Sequence, residues 1–147
     1  MGRRIHVLYV DDNPASLRFR SRLLEQFEGI EVTTASSVSE GLRRLEGNAF
    51  DCVLSDLHMP DQDGLDFLRD VRSRHAELPF ILFTAGQPQA AVGKALEADV
   101  TDYIVKRDVD EFQDVLINRI RQYVSHYRAK QRIDELEGDG DETAVGE

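Results

Sequence analysis

The stretch Ile5–Pro14, IHVLYVDDNP, decides how the rest of the chain is read. Its first six residues are almost all apolar, β-branched or aromatic, and they stop at two adjacent aspartates. A short run of this composition reads as a strand. Its near lack of alternation suits a strand covered on both faces, as in a parallel sheet. Asn13 followed by Pro14 then reads as an N-cap and a first-turn proline. The stretch is thus strand, acid pair, helix start.

The same rhythm repeats outward from it. Ile30–Ala35, Cys52–Ser55, Phe80–Phe83 and Asp102–Val105 are further short apolar runs. The second alternates and carries Glu31, which suits an edge; the third, fourth and fifth read as central strands. Between them lie helix patterns. Leu17, Leu24 and Phe27 share a stripe that ends at Gly29. Ser37 and Glu40 spell a capping box before Leu42 and Leu45. Leu65, Leu68, Val71 and Arg72 follow Gly64. Pro88 opens a weaker helix over residues 89–98, and Asp108 with Glu111 spells a second capping box. Five strands alternating with five helices predict an α/β fold, a doubly wound parallel sheet with right-handed crossovers.

Composition narrows the function. The 147 residues carry a formal net charge of -10, which argues against nucleic acid as a direct partner, since phosphate binding needs a basic face. No apolar run approaches the roughly 20 residues of a membrane helix. The start of the chain makes a poor signal peptide, and Cys52 stands alone, so a cytoplasmic setting is expected. The chain has 15 arginines but only three lysines, Lys94, Lys106 and Lys130. Lys106 follows the fifth apolar run, where a flexible point charge differs from an arginine fork.

In an open α/β sheet, ligands bind beyond the carboxyl ends of the strands. The residues just after the runs are Asp11 and Asp12, Asp56, Thr84 and Lys106. Any one has an ordinary reading: a turn acid, a turn hydroxyl or a solvated charge. Together they place three carboxylates, a hydroxyl and an ammonium on one rim. Converging carboxylates repel unless a cation sits among them, and oxygen ligands of this kind suit Mg²⁺. A carboxylate beside such a metal can attack a phosphoryl group, giving an aspartyl phosphate. The hydroxyl and the ammonium can then meet the phosphoryl oxygens.

At this point the strings LYVDDNP, VLSDLHMPDQDGLDFL, ILFTAG and TDYIVK, in order and suitably spaced, resemble the receiver domain of two-component response regulators. The resemblance covers residues 4–127 and implies a flavodoxin-like sheet of order 2-1-3-4-5. It implies Asp56 as phosphoacceptor from a histidine kinase, with Asp11 and Asp12 binding Mg²⁺. It implies a backbone carbonyl from His58 on the metal, Thr84 and Lys106 on the phosphoryl group, and Tyr103 as a switch aromatic. A phosphorylation-dependent signalling switch follows from it, one that is not an enzyme in its own right beyond assisted self-phosphorylation and self-dephosphorylation.

Two departures stand out. Arg107 occupies the place of the family's usual proline, which predicts a trans Lys106–Arg107 peptide. His58 and Gly86 fill positions that tune phosphoryl lifetime in the family. Rival readings fare worse. A haloacid-dehalogenase-type phosphohydrolase needs an acid two past the nucleophile, where His58 stands. A flavin phosphate would be repelled by Asp11 and Asp12. A receiver-like module acting without phosphorylation is the remaining alternative. Asp61–Gly64 is spelled like part of a calcium loop but lacks its first ligand.

The last helical pattern outruns the sheet. From Val109 to Glu137 a continuous helix would be about 43 Å long. Residues 128–137 read as a helical extension: a connector to an unknown output module, the seam of a homodimer, or a solvated, partly frayed helix end. Residues 138–147, EGDGDETAVGE from Glu137 on, are acidic and poor in large apolar side chains, which predicts a disordered tail.

Overall fold

Val7, Leu8, Tyr9 and Val10 have no exposed surface, so the opening strand is covered on both sides. It is β1 (Ile5–Val10), and it lies inside a five-stranded sheet with β2 (Ile30–Ala35), β3 (Cys52–Asp56), β4 (Phe80–Thr84) and β5 (Asp102–Val105). The order is β2-β1-β3-β4-β5 and every pairing is parallel. This computed structural model describes residues 4–60, 62–85, 89–106 and 109–145; for 89, 109–112 and 138–145 it describes the backbone alone.

The helices are α1 (Pro14–Glu25), α2 (Val38–Gly47), α3 (Gly64–Arg74), α4 (Gln89–Glu97) and α5 (Val109–Val145). Period-two alternation divides the strands between two cores. Leu8, Val10, Val53, Phe80 and Leu82 face α2, α3 and α4, where Phe67, Leu68, Val71 and Ala95 close the layer. Val7, Tyr9, Leu54, Ile81 and Phe83 face the other way, against Leu17 and Leu24 of α1 and Leu116, Ile120 and Val124 of α5. The fold is the doubly wound one that the alternation predicts.

Local chemistry fixes the helix starts. The Asn13 carboxamide oxygen accepts the N–H groups of Ala15 and Ser16. Ser37 Oγ accepts the Glu40 N–H, and the Glu40 carboxylate reaches back to the Ser36 N–H. Asp63 and Asp66 form a reciprocal capping box at the start of α3, so the supposed calcium spelling is a helix cap. The Arg72 guanidinium does not join the apolar stripe. It donates to the carbonyls of His75, Leu78 and Asp99, tying α3 to the loops around β4 and β5.

Two strand bounds change. β3 and β4 each run one residue further, taking in Asp56 and Thr84. β5 is an edge strand, as the order 2-1-3-4-5 implied by the family resemblance requires, although its apolar run alone reads as central. The α5 backbone is helical through Val145. The Lys106–Arg107 peptide, Gly86, Pro88 and the Asp108 cap lie outside the described residues. Among the described residues no helix is long and apolar enough to cross a membrane.

Candidate functional site at the carboxyl rim of the sheet

Register brings the acids together. Val10 lies opposite Ser55, so the next residues, Asp11 and Asp56, stand side by side where β1 and β3 end. Asp12 follows in the turn to α1. One carboxylate oxygen from each of Asp11, Asp12 and Asp56 lies within 4.8 Å of the others. These donors are all hard oxygens, which fits a small divalent cation such as Mg²⁺. Asp11 is buried at 1% exposure, Asp56 is half-buried and Asp12 is exposed.

Lys106 reaches this group from the end of β5. Its ammonium nitrogen is 3.6 Å from Asp56 Oδ2 and sits 4.5 Å from the centroid of the Phe83 ring. Its backbone N–H donates to the Thr84 carbonyl at 2.7 Å, which fixes where the side chain leaves the sheet edge. Burial raises the Asp56 pKa above the ordinary carboxylate value; Lys106 opposes that, Asp11 adds to it, and N–H groups of Leu57 and His58 oppose it. The balance is a carboxylate that is costly to ionise without a cation.

Gly64 explains how the loop after Asp56 closes. Its N–H donates to the Leu57 carbonyl at 2.8 Å. A Cβ there would collide with the Asp56 carbonyl oxygen and stand 2.7 Å from Leu82 Cδ2. Only glycine lets α3 begin this close to the end of β3.

Thr84 and Tyr103 occupy the other face of the sheet. Phe83 pairs in register with Asp56, whereas Thr84 pairs with Val105 and Leu82 with Tyr103. Thr84 is 1% exposed. Tyr103 packs against the core on the α4 side, and its hydroxyl is buried with no hydrogen-bond partner among the described residues. Burial raises its pKa. The structure thus gathers Asp11, Asp12, Asp56 and Lys106, and sets Thr84 and Tyr103 together on the opposite face. His58 is exposed, and its N–H points to Asp56.

Two neighbours escaped the sequence reading. Tyr9 donates its hydroxyl to Asp11 Oδ2 at 2.8 Å, and Arg20 of α1 donates Nε–H to the Tyr9 oxygen at 3.3 Å. The signal for Tyr9 was its place two residues before Asp11, on the same side of β1. Nothing in the sequence singled out Arg20, because its partner lies in another element.

Comparison with known proteins agrees with this geometry. The profile of the response regulator receiver domain matches residues 7–118. The DNA-binding transcriptional regulator NtrC of Salmonella typhimurium is 31% identical over 143 residues, covering 96% of this chain. The chain spans only 30% of that regulator's length. A receiver domain protein from Clostridium thermocellum superposes with a TM-score of 0.75 at 30% identity, covering 85% of this chain and 98% of the other. A CheY-like receiver domain protein from Methanospirillum hungatei JF-1 gives 0.78 at 27% identity, covering 86% and 98%. With fold, strand order and matched span in agreement, the chain belongs to the response regulator receiver domain family, the phosphoacceptor signalling domains of two-component systems.

Proposed function

We propose that Asp56 accepts a phosphoryl group from the phosphohistidine of a histidine kinase. An Asp56 oxygen attacks phosphorus, the P–N bond breaks, and its electron pair returns to the imidazole nitrogen, which takes up a proton. The observation carrying this reading is the convergence of Asp11, Asp12, Asp56 and Lys106 on one rim. Asp11, Asp12, Asp56 and the His58 backbone carbonyl would hold Mg²⁺. When bound, Mg²⁺ offsets the carboxylate charge and stabilises the negative phosphoryl oxygens.

The chain's own residues do the rest. Lys106 moves its ammonium from the Asp56 carboxylate to a phosphoryl oxygen, and Thr84 turns its hydroxyl toward another. Tyr103, on the same face as Thr84, follows into the space vacated. The surface formed by α4, β5 and α5 then differs between the two states, and a partner that prefers one state reads the difference. Loss of the phosphoryl group to water resets the protein. Residues 4–127 form the receiver in this reading. Residues 128–137 act as a connector or a homodimer seam, and the output is a separate partner protein or a further domain, in a cytoplasmic setting.

The test is transfer from a labelled histidine kinase with Mg²⁺ present. Label should reach the parent protein and be lost with EDTA. Asp56→Asn should accept none, and a mutant that labels as the parent does would refute the assignment.

A further inference from the structure

Asp11 is held by hydrogen bonds at both carboxylate oxygens. Oδ2 accepts the Tyr9 hydroxyl at 2.8 Å and Oδ1 accepts the Asn13 N–H at 3.0 Å. The Asn13 contact belongs to the turn into α1. The Tyr9 contact comes from inside the sheet, because residues two apart on a strand share a face. Tyr9 has no exposed surface, so its ring cannot swing away. It rests 5.6 Å from the Phe83 ring, and its oxygen is fixed in turn by Arg20 Nε. The Arg20 guanidinium lies 5.0 Å from the centroid of that same Phe83 ring, which Lys106 also contacts.

The geometry points to Tyr9, steadied by Arg20, as a positioning residue that fixes the Asp11 carboxylate and so sets divalent-cation affinity at the rim. This rests on the cation-site reading given above. The terminal torsion of an aspartate is broad and roughly two-fold, so a carboxylate held by one bond still rocks. Bonds at both oxygens remove that freedom before any cation arrives. Partners of this kind behind metal ligands typically change affinity by about 10–100-fold. The sign follows: losing the phenol hydroxyl frees Asp11 to rotate, and cation binding then has to order it.

Tyr9→Phe keeps the ring in the core and deletes only the hydroxyl. Arg20→Gln keeps every buried side chain and removes only the guanidinium from Tyr9 and from the Phe83 ring. Mn²⁺ affinity can be read directly from the paramagnetic resonance signal of the free ion, with no phosphodonor present. The expected result is affinity about tenfold weaker for Tyr9→Phe, with a smaller loss for Arg20→Gln. A parallel assay with acetyl phosphate should show the half-saturating Mg²⁺ concentration rising by the same factor while the rate at saturating Mg²⁺ is kept. A general loosening of the fold would instead lower that limiting rate. Parental Mn²⁺ affinity in both folded variants overturns the role of Tyr9. If the parent itself binds no Mn²⁺, the cation-site reading falls and this inference falls with it.

Discussion

The two ends of the sheet handle charge in opposite ways. At the amino end, Arg4, Arg121, Arg128 and Arg132 line a groove of about 810 Å³ together with Glu28. Its central arginines are tied to fixed partners. Arg128 lies 3.2 Å from Asp51 Oδ2 and donates to the Arg4 carbonyl at 2.7 Å, and Arg121 donates to the Glu28 carbonyl. At the carboxyl rim, three carboxylates crowd within 4.8 Å with only Lys106 in ion-pair reach of Asp56 among the described residues. The amino end uses charge to hold α5 to the sheet. The carboxyl end keeps like charges together at a cost, and such a cost makes sense where a cation and an incoming anion are to be bound.

The largest way to break that contrast is Gly64→Ala. The added methyl meets the Asp56 carbonyl and Leu82, so either α3 or the end of β3 must shift. A loss of about 3 kcal/mol is expected in urea unfolding. An unchanged midpoint would show that the rim is looser than described.

Arg128→Ala should come next. It removes the cation from Asp51 and the bond to the Arg4 carbonyl, at about 2 kcal/mol. The loss should be the same with or without Mg²⁺, since the two ends are separate. A Mg²⁺-dependent loss would contradict the division of labour drawn above.

The smallest effect has the opposite sign. Asp56→Asn should raise the melting temperature of the metal-free protein by about 3 °C, because a crowded carboxylate is removed. The pH dependence carries the same information. The folded Asp56 pKa lies above its unfolded value, so its contribution is fully present below the unfolded pKa. It is lost as pH rises through the folded pKa, since the unfolded chain releases that proton more readily. Metal-free parent protein should therefore lose stability over that acidic interval relative to Asp56→Asn. Parallel pH curves for the two would remove the argument.

Much of this was legible in the sequence because it is local. The strand bounds at Ile5–Val10, Ile30–Ala35 and Asp102–Val105 follow from composition, and the Asn13 and Ser37 caps follow from helix chemistry. The rim acids were legible because parallel strands place every carboxyl end on one side. Long-range matters were not. Asp102–Val105 is apolar enough to read as central, and only the family resemblance, with its order 2-1-3-4-5, placed it at the edge, because strand position depends on crossovers that no window of sequence contains. Arg72 looked like a stripe residue, because its three carbonyl partners arrive from loops beyond α3. Tyr9 read as core filling, which it is, while its hydroxyl also serves Asp11.

The buried Tyr103 hydroxyl has a consequence for populations. It has no partner among the described residues, and a hydroxyl that gives up water without gaining one costs about 1–3 kcal/mol. At 1.4 kcal/mol per decade, that brings the outward rotamer closer in population to the inward one by roughly 5- to 150-fold. The ring is thus packed inward against a standing handicap. Tyr103→Phe removes the handicap, so side-chain NMR of that variant should show the outward rotamer depleted; equal rotamer ratios in both proteins would mean that the hydroxyl sets no balance.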